Sequence, residues 1–350
     1  MGKRVAVIGA GGVGGYTGGQ MARNGIDVTF IDAWPDHVDA INGKGLELRG
    51  VTEQEHYVVP VKAMHVTEVQ NLSKQDPIDI AIISTKSYDT EFAAALIKQY
   101  LAPEGFCVSL QNCINEERLA GVVGWGRTVG CIASTISVEL QEPGLIQRNV
   151  PLRGDAYTVY RCGEVHGRIT QRVEDLVEWL RFADSAKATE NLWGERWSKL
   201  VINSSHNGLS ACTGYSGNEM CTIDAARRLS IRLSGETIRV GKAHGFNLEV
   251  IKGHTADEWV AAADGDRAAL DAVESSMIES VKSRGDGQRP SMGQDMAKGR
   301  RTEIDFLNGL VVKKGREAGI PTPANEGIVK AVTAVERGEA KQGPHMIEGL

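Results

Sequence analysis

A continuous apolar run, Arg4-Val5-Ala6-Val7-Ile8, leads without a break into Gly9-Ala10-Gly11-Gly12-Val13-Gly14. So short and uninterrupted a run suits a strand buried on both faces. In the G-x-G-x-x-G that follows, each glycine has its own task. Gly9 permits a tight turn, Gly11 lets a pyrophosphate approach the backbone, and Gly14 lets the next helix pack close to the sheet. Gly18 and Gly19 extend that close-packing face, and Asn24-Gly25 is a helix-ending pair. A second strand, Asp27–Asp32, then closes on an acid 18 residues after Gly14. A carboxylate there can accept hydrogen bonds from ribose hydroxyls and would repel a 2′-phosphate. With Ala33 next in place of a cation, the cofactor predicted is NAD(H) rather than NADP(H). Glycine-rich turns alone are common. Strand, turn, helix, strand and acid in this order predict a Rossmann dinucleotide-binding fold with Gly9, Gly11, Gly12, Val13, Gly14 and Asp32 as cofactor contacts.

The alternation continues through a buried strand, Ile78–Ser84, ending at Thr85-Lys86, a helix from Glu91 to Tyr100, and a strand, Phe106–Leu110, ending at Gln111-Asn112. Ligands of open α/β sheets lie outside the carboxyl ends of the strands, which places Lys86 and Asn112 on the functional edge. Both are also ordinary loop residues. A chain of 350 residues, 41% of them apolar, is long enough for two domains. The expected division is a Rossmann domain over 1–189 and a mainly α-helical substrate and catalytic domain over 190–350.

Net charge is −6 with no dense basic block, which argues against nucleic acid or an anionic membrane as the main partner and for a small molecule. No stretch approaches a membrane-spanning helix, and Met1-Gly2-Lys3-Arg4 runs straight into a strand rather than a signal peptide, so a cytoplasmic location is expected. The six cysteines are scattered with no CxxC pair and no zinc-like histidine spacing, and read as reduced packing thiols with no metal site. Gly214-Tyr215-Ser216-Gly217-Asn218 lacks the final glycine and the preceding strand of a nucleophile elbow, against a serine hydrolase.

Lys199, Asn203 and Asn207 recur every four residues in a segment otherwise rich in Leu200, Val201, Ile202 and Leu209. On a helix they form one stripe, each about 40° round from the last. A solvated face is one explanation, yet such faces usually carry Glu, Lys and Arg, and asparagine is a mediocre helix former. An amide stripe suggests the lining of a pocket. Trp193 and Trp197, one turn apart, read as packing residues, and His206 as helix surface or pocket wall.

Four stretches together resemble the ketopantoate reductase (2-dehydropantoate 2-reductase) family. They are GAGGVGG at Gly9 to Gly15, STK at Ser84 to Lys86 with Gln111-Asn112, RWSKLVINSSHN at Arg196 to Asn207, and PSMGQDMAKGRRTEIDFLNG at Pro290 to Gly309. The resemblance implies NAD(P)H-dependent reduction of a 2-oxo acid to a 2-hydroxy acid, in a site between the two domains. It implies Lys199 as catalytic lysine, stabilising charge on the carbonyl oxygen and delivering the proton. It further implies Asn203 and Asn207 as substrate-orienting amides, Glu303 as a second catalytic acid supporting the lysine, and Ser291 as a contact of the substrate carboxylate. Taken alone, Glu303 reads as an early, surface residue of an amphipathic helix with Ile304, Leu307 and Leu310 on its buried side. Ser291-Met292-Gly293-Gln294 reads as a capping box.

Departures from the family pattern bear on substrate. Cys113 follows Asn112 where glycine is usual, Gly208 follows Asn207 where proline is common, and 252–281 is longer than a minimal member needs, with Ala261 to Asp266 reading as a helix end and loop. The stretch after Glu336, rich in glycine and charge, is expected to be mobile or an oligomer contact, and a homodimer stays open. Another hydroxyacid or opine-type Rossmann dehydrogenase, or a dinucleotide-binding regulator without turnover, are the competing readings.

Overall fold

The computed structural model describes residues 3–283 and 287–350, so Met1 and Gly2 of the N-terminal reading lie outside the described residues. The chain divides into two compact units, Met1–Leu192 and Trp193–Leu350. The strands of the first are β1 (Arg4–Ile8), β2 (Asp27–Asp32), β3 (Leu46–Arg49), β4 (Tyr57–Val59), β5 (Lys62–His65), β6 (Ile78–Ile83), β7 (Leu101–Ser109), β8 (Thr128–Ala133), β9 (Val138–Glu142), β10 (Leu145–Arg148), β11 (Tyr160–Glu164) and β12 (Ala186–Ala188). Its helices are α1 (Gly12–Arg23), α2 (Pro35–Lys44), α3 (Thr90–Lys98), α4 (Glu116–Val123) and α5 (Gln171–Leu180).

The larger sheet runs β12-β11-β8-β7-β6-β1-β2-β5. From β5 to β8 every neighbouring pair is parallel, and β11 then enters antiparallel to β8. Counted along the chain within this sheet, the parallel part has the Rossmann order 3-2-1-4-5-6, whose direction of winding reverses between β1 and β6. The N-terminal unit is therefore a doubly wound α/β fold. Its strands are buried on both faces, which explains their uninterrupted apolar runs. Val5, Val7, Val28, Phe30, Ile80 and Ile82 face one core, while Ala6, Ile8, Ile31, Ala81 and Ile83 face another, packed under Ala93, Ala94 and Ile97 of α3.

A smaller sheet, β4-β3-β10-β9, covers the outer side of α1. Its strands were not read from the sequence, but their partner was visible in the glycines of α1. A Cβ at Gly14 would lie 2.7 Å from Ser84 Cβ, just past β6, and one at Gly18 2.8 Å from Phe30 of β2, both on the side of the larger sheet. A Cβ at Gly12 would lie 2.7 Å from the Val138 carbonyl oxygen, and one at Gly19 2.9 Å from Leu48, in the smaller sheet. Small residues on two sides of one helix thus let two sheets close on it. The helix ends where Asn24-Gly25 indicated, with Asn24 as C-cap and Gly25 at φ +88°.

Glu164, buried at the end of β11, accepts hydrogen bonds from Arg172 Nε (2.7 Å), Arg172 Nη2 (2.6 Å) and Thr170 Oγ1 (2.6 Å). Burial alone would raise its pKa, but the Arg172 and Thr170 hydrogen bonds and the Arg172 charge outweigh it and hold the carboxyl below its ordinary value. A pKa lowered by folding stabilises the fold above the ordinary carboxylate pKa, and that stabilisation is lost as pH falls through the lowered value. Glu164→Gln is thus expected to cost about 1–3 kcal/mol at pH 7. Thermal denaturation across pH should show the deficit shrinking towards zero in acid, and a deficit equal at every pH would exclude the charge pairing as its source.

The second unit is mainly helical, with α6 (Leu192–Thr213) leading into α7 (Gly217–Thr222), α8 (Asp224–Ala243), α9 (Ala256–Ala263), α10 (Arg267–Glu279), α11 (Ser291–Ala297), α12 (Asn308–Ala318) and α13 (Pro323–Glu336). The helix end and loop expected over 261–266 are present, with Gly265 at φ +87° and Asp266 capping α10 through Ala269 N. A buried polar chain ties four helices together. Asn308 Nδ2 donates to Ser204 O and Asn325 Oδ1, Asn325 Nδ2 donates to Glu236 Oε2, and Glu236 accepts from the N–H groups of Ala324 and Asn325 at the start of α13. Trp197 packs in this unit's core, its Nε1 donating to Thr237 O at 2.8 Å and its ring lying against Phe246. The stretch after Glu336 is docked on its own unit, not loose. Gln342 and Gly343 donate to Ala211 O and Cys212 O at the carbonyl end of α6, and Leu350 packs against Gly327.

All six cysteines are buried as thiols. Burial pushes the Cys107 and Cys212 thiols up to about 12, where thiolate reactivity is suppressed. Among the described residues no helix is long and apolar enough to cross a membrane.

Candidate functional site

The N-terminal candidates gather at the carboxyl edge of the sheet around the reversal point. Gly9 N donates to Ile31 O, Ser84 N to Ile8 O and Leu110 N to Ile83 O, so the three loops leave the sheet side by side. Gly9 has φ +93°, and a Cβ there would lie 2.8 Å from Thr85 N, so both conformation and space demand glycine. Gly11 differs. It is the N-cap of α1 with φ −66° and ψ −168°, extended backbone open to any residue, and a Cβ there would meet nothing within 4 Å. Nothing in the fold requires glycine at Gly11, and a ligand pressed against the backbone would. The first-turn N–H groups of α1, including those of Gly12, Val13 and Gly14, have no intrahelical acceptors and form a positive helix end suited to phosphate.

Asp32, half-buried at the end of β2, accepts from Ala10 N at 2.7 Å through Oδ2 and from Trp34 N at 2.9 Å through Oδ1. It therefore holds the glycine-rich loop through the Ala10 amide. The Ala10 carbonyl is held from the other side by buried His37. His37 Nδ1 accepts from Gly144 N at 2.9 Å, so Nε2 carries the proton and donates to Ala10 O at 2.9 Å. Nothing local in the sequence points to His37, because its partners are 27 and 107 residues away.

Lys86 and Asn112 sit half-buried in the loops after β6 and β7. Their backbones are fixed by two residues to which the sequence assigned no role. Gln111 Nε2 donates to Thr85 O and Thr90 Oγ1, and Asn115 Nδ2 to Asn112 O and Ser87 Oγ. Cys113 has φ +66°, the left-handed conformation that favours the glycine usual in its place.

In the helical unit, Lys199, Asn203 and Asn207 lie on one face of α6, the first two half-buried and Asn207 buried. Two further candidates are brought to that helix. A Cβ on Gly293 of α11 would lie 3.1 Å from Ser210 Cβ, so the helix starting at Ser291 abuts α6 one turn beyond Asn207. A Cβ on Gly208 would lie 3.2 Å from Ile304 Cδ1, so the segment carrying Glu303 abuts α6 as well.

Two local readings need correction. Ser291 is exposed and is the first residue of α11 rather than its cap. Pro290 takes the cap position with φ −55° and ψ 158°, and Gln294 Nε2 donates to Arg289 O instead of closing a capping box. Glu303 is a buried residue preceding a 3₁₀ turn, Ile304–Phe306, not an early surface residue of a helix, and α12 begins only at Asn308. Its backbone is held because Glu336 accepts from Thr302 N (2.7 Å) and Thr302 Oγ1 (3.1 Å), while Glu303 O accepts from Phe306 N and Leu307 N. Leu310 is half-buried.

Family models described as ketopantoate reductase PanE/ApbA and ketopantoate reductase PanE/ApbA C terminal match residues 5–157 and 191–336. The chain belongs to the ketopantoate reductase family. As a member of that family it is an oxidoreductase. A 2-dehydropantoate 2-reductase of Archaeoglobus fulgidus is 30% identical over 338 residues, covering 96% of this chain and 99% of that protein. The crystal structure of a PanE/ApbA family ketopantoate reductase from Ralstonia eutropha JMP134 superposes with a TM-score of 0.77 at 27% identity, over 96% of this chain and 99% of the other. A D-mandelate dehydrogenase solved with NADH and anilino(oxo)acetate shares the fold, with a TM-score of 0.76 at 20% identity over 96% and 98% of the two chains. Two of the four stretches that carry the resemblance, Arg196 to Asn207 and Pro290 to Gly309, fall inside the C-terminal match.

Proposed function

We propose that this ketopantoate reductase family member transfers hydride between NAD(H) and a 2-oxo acid/2-hydroxy acid pair, with Lys199 as general acid in reduction and general base in oxidation. The observation that carries the reading is the gathering on α6 of an ammonium, two amides and the segments bearing Ser291 and Glu303. A bound reduced nicotinamide supplies the hydride. Negative charge then develops on the carbonyl oxygen, where the Lys199 ammonium stabilises it and donates a proton. Asn203 and Asn207 orient the substrate hydroxyl or carbonyl, Ser291 binds the carboxylate, and Glu303 contacts substrate and supports the lysine. The glycines of the β1–α1 turn, with Val13, Lys86 and Asn112, hold the dinucleotide, the N-terminal unit serving as cofactor domain and the C-terminal unit as substrate domain.

A steady-state screen tests this reading, with NADH and NADPH each offered ketopantoate and a panel of 2-oxo acids, and the hydroxy acids run in reverse. Turnover with no 2-oxo acid under either cofactor would defeat it. Preference for NADH rests on Asp32. Asp32→Ser is expected to lower kcat/KM with NADH about 10- to 100-fold and to shift preference towards NADPH, because a ribose acceptor is lost along with the charge opposing a 2′-phosphate. A wild type already preferring NADPH would refute the assignment.

A further inference from the structure

Two residues past Asp32, the N-terminal unit carries an indole for which the fold has little use. Trp34 is the N-cap of α2, a position that favours Ser, Thr, Asp or Asn because their side chains accept from the free N–H groups of the first turn. An indole can only donate, and Trp34 makes no such bond. The start of α2 is supported instead by Pro35 in its first turn. At 38% exposure Trp34 also leaves a large apolar surface in water, with exposed Ala33 and Pro35 on either side.

The position of this ring is nonetheless closely controlled. Trp34 N donates to Asp32 Oδ1 at 2.9 Å. The residue between them is tied to the neighbouring strand, β5, where His65 pairs in register with Asp32. His65 Nδ1 accepts from Thr67 N at 3.3 Å, so Nε2 carries the proton and donates to Ala33 O at 3.1 Å. Behind the indole lies His37, with ring centroids 6.0 Å apart and planes inclined by 29°. That imidazole is buried and bonded through both nitrogens, to Ala10 O and Gly144 N, so it cannot turn away. An exposed aromatic ring is thus backed by a fixed ring and rooted in a loop tied at each of its three residues.

We propose that Trp34 is the platform on which the adenine of the bound dinucleotide stacks. This deepens the cofactor reading above and rests on Asp32 taking a hydroxyl of the adenosine ribose. The carboxylate uses one lone pair of each oxygen on Ala10 N and Trp34 N and keeps the others for that hydroxyl. The base is carried on C1′, one bond from the C2′ that bears the hydroxyl, and so lies within a side chain's length of the carboxylate to which Trp34 is bonded. There a flat, braced indole offers its π-face to the purine, and stacking of this kind supplies much of the affinity for a base.

The probes are ADP-ribose, which carries adenine without nicotinamide, and reduced nicotinamide mononucleotide, which carries nicotinamide without adenine. Each is titrated into the full chain without substrate, so that binding is read without turnover. Trp34→Ser, which supplies the cap hydroxyl that α2 lacks, should weaken ADP-ribose and NADH about 10- to 100-fold and leave the mononucleotide within about twofold. Trp34→Phe should restore most of the loss. In proton NMR the adenine H2 and H8 resonances of ADP-ribose should move upfield on binding to wild type, through the indole ring current, and not on binding to Trp34→Ser. Undiminished ADP-ribose affinity in Trp34→Ser, equal weakening of the mononucleotide, or the same adenine shifts in both proteins overturns the proposal alone. A wild type that binds none of ADP-ribose, NADH and NADPH removes the cofactor reading and the platform with it. Should the Trp34-dependent affinity hold while no 2-oxo acid is turned over, the platform stands and the proposed reaction falls.

Discussion

Lys199→Ala is expected to reduce the turnover of 2-oxo acid reduction by about 10²- to 10⁴-fold, the usual yield of a positioned general acid, with dinucleotide affinity nearly unchanged. The two effects separate because Lys199 stands on α6, in a different compact unit from the glycine-rich turn. Its backbone lies mid-helix, and its neighbours Ser198 and Leu200 carry the packing. Removing a half-buried side chain there should leave the fold intact. Pre-steady-state measurement of NADH oxidation, with NADH fluorescence titration alongside, reads both quantities. A rate within a fewfold of wild type would remove Lys199 from the chemistry, whereas loss of cofactor affinity would indicate a misfolded variant.

A second large effect is expected from two single-methyl substitutions in the glycine-rich turn, which look alike in sequence and act differently. In Gly14→Ala the added methyl would collide with Gly9 O and lie 2.7 Å from Ser84 Cβ, forcing α1 away from the sheet. Overpacking of this kind costs about 1–3 kcal/mol of stability. Displacing the N-terminus of α1 should also weaken dinucleotide binding about 100-fold, equivalent to about 2.7 kcal/mol. Gly11→Ala meets no protein atom within 4 Å and needs no unusual φ, so it should lose no more than the about 1 kcal/mol of a poorer N-cap yet bind dinucleotide about 10- to 100-fold more weakly. Thermal unfolding and NADH titration of both variants test the pair. Full affinity in Gly11→Ala would mean that no ligand approaches the backbone at that turn.

The opening of the N-terminal unit was legible because its signals are local. An apolar run, a turn that only glycine can make and an acid at the next strand's end all lie within one β-turn-α-β stretch, and the observed elements, Arg4–Ile8, Gly12–Arg23 and Asp27–Asp32, match the boundaries read. The stripe of Lys199, Asn203 and Asn207 was legible for the same reason, since helical periodicity alone puts residues four apart on one face. At Ser291 and Glu303 the local rules misled. Pro290 pre-empted the cap position, and the tie from Thr302 to Glu336, a residue 34 positions on, holds the chain in an irregular turn before α12 can begin.

From residue order and period alone come the doubly wound sheet, the phosphate-binding turn and the polar face of α6, because each needs only neighbours a few positions apart. The closure of a second sheet over α1, the clamp of His37 on Ala10, the docking of the C-terminal stretch and the bond from His65 to Ala33 come from elsewhere. Each joins groups tens of residues apart, where no periodicity operates, and packing and the pairing of buried polar groups in the assembled chain choose the partners.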